Sequence, residues 1–200
     1  MSYIFDSWLS KYPQLLTLEG SGFANLQSRA HKSTDFTDLT IRCGASEFRA
    51  HRVVVCSQSS FFKAACVNEC RESMTATIEL PEDEPQIVER LIEFCYRSDY
   101  ANFSADPFLG HGKIFAAATE YGIPRAGLAV MMKYEAAAHN DWDAAKFLLS
   151  IPYIYESVPE SGVGMRNTAV NCAKSRMKRL TEGEKQYNAW KRTCLDVPEF

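Results

Sequence analysis

Asp35-Phe36-Thr37-Asp38-Leu39-Thr40-Ile41-Arg42-Cys43, followed after a short break by Glu47-Phe48-Arg49-Ala50-His51-Arg52-Val53-Val54-Val55, is where the pattern of this chain becomes regular. Leu39, Ile41 and Cys43 alternate with Thr40 and Arg42, the period of a strand with one buried face. Gly44-Ala45-Ser46 reads as a turn, and Glu47 to Ala50 returns as a second strand, making a hairpin. The period then lengthens. After Val53-Val54-Val55, Phe61, Phe62, Ala64, Ala65 and Cys66 predict a short amphipathic helix, with Ser57 and Ser60 as candidate N-caps.

Working outward, Thr75 to Leu80 alternates again as a strand that ends at Pro81. Glu82-Asp83-Glu84-Pro85 opens a helix, with acids beside its positive end. Ile87, Val88, Leu91, Ile92, Phe94 and Cys95 share one face of it. Residues 98–112 read as a loop carrying Pro107 and Gly110. A helical run with Ile114, Phe115, Ala117, Ala118 and Tyr121 stops at Gly122, and another with Leu128, Met131, Met132 and Tyr134 starts at Pro124. A further helix is expected from Trp142 to Ser150. Beyond Pro152, the residues Pro159, Ser161, Gly162 and Gly164 suggest a linker before a last helix holding Met165, Ala169, Ala173, Met177 and Leu180. The expected organisation is an N-terminal arm (1–32), a domain (33–138), a helical extension (139–182) and a frayed polar tail (183–200). The fold class is α+β, a small sheet covered by a cluster of helices.

The order and spacing of these fragments resemble the BTB/POZ domain. Asp35 to Ile41, Phe48 to Val55, Ser57 with Ser60-Phe61-Phe62, Ile78 to Asp83, the helix Ile87 to Tyr96, and Ala116-Ala117-Ala118-Thr119-Glu120-Tyr121-Gly122-Ile123-Pro124 carry the likeness. Asn140-Asp141-Trp142 with Ile151 to Glu156 looks like the C-terminal extension found in many fungal members. The resemblance implies a protein-interaction module that often pairs as a two-fold homodimer. In dimeric relatives a buried acid–base pair lies near the interface, and the matching positions here are Asp38 and Arg52. The alternative is that Asp38 caps or turns the hairpin while Arg52 lies on the surface. His51 matches the motif too, and reads as a satisfied structural histidine.

The resemblance implies two functions. One is a dimerising scaffold or adaptor, and the other is a substrate adaptor for a cullin-type ubiquitin ligase. For the second, Tyr96, Tyr100 and Phe103 are the candidate partner-surface residues. The loop Ser98 to Asp106 lacks the apolar residue two before a glutamate that often marks cullin-binding relatives.

Other chemistry finds little support. Net charge is −3 with a pI near 5.8, without the basic excess of a nucleic-acid binder. The cluster Lys174, Arg176, Lys178 and Arg179 reads as a solvated helix face, and Met131 and Met132 as core. No stretch approaches the roughly 20 apolar residues of a membrane helix. The seven cysteines are odd in number and several sit in apolar runs, which fits a reducing compartment, cytoplasm or nucleus, better than a disulfide framework. Four scattered histidines and the Cys66-x3-Cys70 pair do not make a zinc site. Cys56 near His51 follows three valines and reads as core rather than nucleophile. With no phosphate-binding loop and no serine elbow, the expectation is no catalysis and no cofactor.

Overall fold

The computed structural model describes residues 33–67, 76–158 and 163–200. The N-terminal arm, Cys70, Thr75 and the Pro159, Ser161 and Gly162 part of the expected linker lie outside them.

Strand β1 (Leu39–Cys43) forms the centre of a three-stranded sheet. It pairs antiparallel with β2 (Ser46–Ala50), Leu39 opposite Ala50, and parallel with β3 (Thr77–Glu79), Ile41 opposite Ile78. Leu39, Ile41 and Cys43 are all buried, as their alternation requires. On the other face Arg42 bridges Glu47 and Glu79, tying both neighbours to β1 in solvent.

Between β2 and β3 run two short helices, α1 (Arg52–Gln58) and α2 (Ser60–Val67). The three valines are therefore helical, inside α1. The residue that caps α2 is Ser59, not Ser57 or Ser60. Its buried hydroxyl accepts from the Phe62 amide at 3.0 Å and donates to the Tyr121 carbonyl at 2.6 Å. Helix α3 (Pro85–Arg97) lays its apolar face on the sheet and ends at Ser98, which takes the left-handed conformation (φ 55°).

The remaining helices are α4 (Pro107–Glu120), α5 (Pro124–Asn140), α6 (Ala144–Ser157), α7 (Val163–Thr181) and α8 (Glu184–Asp196). Three of them depart from the sequence reading. Helix α4 begins inside the stretch expected to be loop, because Asp106 caps it through the Leu109 amide and Pro107 sits at its first position. Its interior glycines give room to neighbours: a Cβ on Gly110 would run into the Phe103 ring, and one on Gly112 would press Ile154 at 3.3 Å. Helix α6 runs through Pro152, although proline in a helix interior costs about 3 kcal/mol. Ile151 and Ile154, both wholly buried on either side of it, offset that cost. The tail expected to fray instead forms α8. Trp190 and Phe200 hold it to α6 through a ring cluster with Tyr155 and Phe147.

Gly122 ends α4 with φ +60°, and a Cβ there would collide with the Ser60 hydroxyl at the start of α2. Gly122→Ala is expected to cost about 1–2 kcal/mol for the left-handed backbone alone, before Ser60 is displaced. A fall in the urea midpoint checks this, and an unchanged midpoint would show that the turn relaxes freely.

Candidate functional site

Asp38 lies between the end of the loop before β1 and the start of α1. Its amide donates to the Ala50 carbonyl at 3.2 Å, closing the hairpin. Its carboxylate accepts from the Arg52 backbone amide at 2.7 Å, which puts a negative charge at the free N-terminus of α1. The Arg52 guanidinium turns away to the Cys66 carbonyl at the end of α2. The two residues do meet, but through the Arg52 main chain. Asp38 is exposed and Arg52 half-buried.

His51 is fully satisfied. The Asp35 carbonyl, 2.9 Å from Nε2, can only accept, so in the neutral ring Nε2 carries the hydrogen. Nδ1 then accepts from the Tyr96 hydroxyl at 2.7 Å, and that hydroxyl accepts from the His51 amide at 2.8 Å. This structural role is the one the sequence suggested. The same bonds correct the reading of Tyr96: it is buried beneath the surface as a strut, because its hydroxyl has two partners inside.

Tyr100 needs the same correction. It is buried, with its hydroxyl 2.8 Å from His111 Nδ1 on α4. Lys133 of α5 caps the ring at 4.8 Å while reaching Asp99 at 2.9 Å and Asn102 at 3.0 Å. Buried Glu93 fixes the same loop, accepting from the Ala101 amide at 2.9 Å and from Arg97. Phe103 is half-buried, edge-on to His111 at 5.7 Å, and lines a shallow groove of about 250 Å³ with Arg90, Asp106 and Lys113. Of the three residues expected on a partner surface, Phe103 alone reaches it. A buried tyrosine and an exposed one read alike in sequence; the distant histidine that holds each hydroxyl is what separates them.

The α1–α2 hairpin also presents apolar side chains to solvent. Val53 is 78% exposed, Val67 is 71% exposed, and Phe61, partly exposed, packs against Tyr121. These three lie on the helices that Asp38 and Arg52 organise. Among the described residues no group of three metal-ligating side chains comes together, and no helix is long and apolar enough to cross a membrane.

A sheet in this order, an α1–α2 hairpin locked to it by a histidine, and helices closing over both agree with the match of residues 27–133 to the BTB/POZ domain family. The chain belongs to the BTB/POZ family. This BTB/POZ domain is similar to Kelch-like protein 17 of Homo sapiens, at 32% identity over 98 residues that cover 43% of this chain and 15% of that protein. It is similar to Kelch-like protein 7 of Gallus gallus, at 33% over 76 residues, 38% of this chain and 13% of that one. TD and POZ domain-containing protein 4 of Mus musculus is 27% identical over 88 residues, 44% of this chain and 23% of that one. The likeness thus spans less than a quarter of each of these relatives. A BTB/POZ domain serves protein–protein interaction, and helices α6 to α8 lie beyond the part of the chain that matches the family.

Proposed function

We propose that this chain is a non-catalytic scaffold or adaptor that pairs with a second copy of itself through the α1–α2 face, with Asp38 and Arg52 at the two-fold interface. The observation that carries this reading is the exposure of Val53 and Val67 on two short helices whose ends those residues fix. Large exposed apolar side chains grouped on one face mark an interaction site. Pairing would desolvate Asp38, and its bond to the α1 amide means that the carboxylate enters the interface already partnered. The six described cysteines are free, which supports a place inside the cell, in cytoplasm or nucleus.

Sedimentation equilibrium of the full chain tests the proposal. The expected mass is that of two copies at micromolar concentration. Val53→Asp is expected to give a folded monomer with an unchanged far-UV spectrum, and a wild-type monomer at that concentration would sink the reading. Asp38→Ala removes the charge at the α1 terminus, worth about 1 kcal/mol of stability, and is expected to shift the dimer toward monomer. An unchanged dimer would remove Asp38 from the interface.

A second reading, the substrate adaptor of a cullin-type ubiquitin ligase, draws on the way Lys133 binds the 99–102 loop to α5, gathering the end of α3, the loop and α5 in one place. Calorimetric titration with the N-terminal domain of a BTB-binding cullin decides it. Micromolar binding lost on Phe103→Ala would favour the ligase role, and no heat would leave the scaffold.

A further inference from the structure

Helix α7 is a basic surface that the reading so far leaves unused. Arg166, Lys174, Arg176, Lys178 and Arg179 lie on it, with no Asp or Glu between Val163 and Thr181. Arg166 pairs with Glu199, and Arg176 is bonded to the Ala138 carbonyl at 3.0 Å. Lys174 and Lys178 stay exposed, one turn apart on the same face, without an ion pair among the described residues. Like charges at that spacing destabilise a helix, so this face gains from an acidic neighbour. The imbalance is general: residues 163–200 hold eight Lys and Arg against four Asp and Glu, and residues 1–162 hold fourteen against twenty-one.

A groove of the opposite charge, about 490 Å³, opens between the turn after β3, helix α4 and helix α6. Ile87, Ala117 and Tyr153 give it an apolar lining, and Glu82, Asp83, Glu84 and Glu120 its carboxylates. Lys113 in the same wall is bonded to Glu84. Glu82, Asp83 and Glu120 have no cation partner among the described residues. The chain cannot fill this groove with its own α7. Tyr153 and Tyr155, two residues apart on α6, point about 200° apart. Tyr153 faces the groove, whereas Tyr155 faces α7, with Arg166 over its ring at 5.0 Å. Arg166 also reaches the Val158 carbonyl past the end of α6, and Arg176 reaches Ala138, which precedes the start of α6. Helix α7 therefore runs back along α6, carrying Lys174 and Lys178 to the opposite flank and the opposite end from Tyr153 and Ser157.

We propose that the Lys174–Lys178 face of one copy docks in the acidic groove of the next, a head-to-tail contact between copies of this chain. The ammonium groups meet the unpaired carboxylates of Glu82, Asp83 and Glu120, and the lysine stems cover the apolar lining. A second copy is the occupant because both halves of the contact stand unpaired on this one chain. Two different surfaces meet, so every bound copy leaves one groove and one basic face free, and the contact repeats toward a ring or a filament. The α1–α2 pairing uses another surface, and this proposal does not rest on it.

Sedimentation velocity of the full-length chain tests it in a Val53→Asp background, which keeps α1–α2 pairing out of the signal whether or not that pairing occurs. At low ionic strength the sedimentation coefficient should rise with protein concentration. At about 1 M salt, where the Debye length is about 3 Å, it should not. The chain with Val53 intact should show the same salt-sensitive growth on top of any dimer. Lys174→Gln with Lys178→Gln, and Glu82→Gln with Glu120→Gln, should each weaken the association by about tenfold or more, with unchanged far-UV spectra. Mixed, the two double variants should form one contact and stop at a pair, because the first keeps the groove and the second keeps the basic face. A chain that stays one size across salt and concentration would overturn the proposal. So would association that either double variant leaves intact, or a mixture that does not pair. Binding of an oligolysine peptide to copies that never associate would also overturn it, and would give the groove to a basic segment of another protein.

Discussion

Phe147→Ala is expected to remove about 3–5 kcal/mol from the stability of the whole chain, a large part of the 5–15 kcal/mol typical of a domain. Phe147 is wholly buried on α6, where four rings surround it. Phe108 of α4 meets it edge-on at 5.5 Å, Trp142 at 4.9 Å, Tyr134 of α5 at 6.2 Å and Phe200 at 6.4 Å. The side chain thus joins α4 and α5, through Phe108 and Tyr134, to the helices beyond them. Its loss leaves a cavity lined by rings that have nowhere to collapse, because Tyr134 is held by its hydroxyl to Ser150 at 2.7 Å. Urea unfolding followed by tryptophan fluorescence and by far-UV circular dichroism checks the claim. In the wild type the two signals should coincide, and in the variant both midpoints should fall together. A variant that loses fluorescence early while keeping most of its helix would show that α6 to α8 are a separate unit, and would refute the shared core.

The second large effect follows from pH. His111 is buried between Tyr100, Phe103 and Lys133, and burial first, then the Lys133 charge, holds its imidazole down to about 4 from an ordinary value of 6.5. The folded chain keeps the ring neutral where the unfolded chain would protonate it. Between these two values the unfolded state binds more protons, so stability falls as pH falls. His111's contribution is complete above about 6.5 and is lost toward 4, and the gap corresponds to about 3 kcal/mol. Glu84, held below the usual carboxylate range by Lys113, acts in the same direction at lower pH. His111→Asn keeps a partner for the Tyr100 hydroxyl but cannot titrate. It should be less stable at pH 7 and show a flatter urea-midpoint profile from pH 6.5 to 4.5. A profile parallel to the wild type would assign the acid loss to other groups.

The parts of the fold legible in sequence are those where one local pattern had a single reading. Leu39, Ile41 and Cys43 alternated and formed β1; the apolar face from Ile87 to Cys95 formed α3. The parts that were not legible depend on contacts from far along the chain. Gly110 and Gly112 look like loop residues until Phe103 and Ile154 occupy the space that they leave. Pro152 looks like a terminus until the burial of Ile151 and Ile154 outweighs it. The sparse apolar residues of α8 gain meaning from Phe200, which brings Trp190 and Tyr155 together. At the candidate site the positions of Asp38, His51 and Arg52 were legible from their motif. That Asp38 would bond the Arg52 amide rather than its guanidinium was not, since the competing Cys66 carbonyl belongs to the next helix.

The rings around Phe147 also set an order in which this protein can be completed during synthesis. Residues 39–50 can close their hairpin as soon as they leave the ribosome, and β3 joins when residue 79 follows. Phe108 and Tyr134 emerge before Phe147 exists to cover them, and Phe200 is made later still. A chain paused near residue 140 therefore carries a finished sheet and a bare aromatic wall. At the slower ribosomal pace of about 5 residues per second, that wall stays open to water, and to any chaperone that binds aromatic surface, for about a second before Phe147 is made.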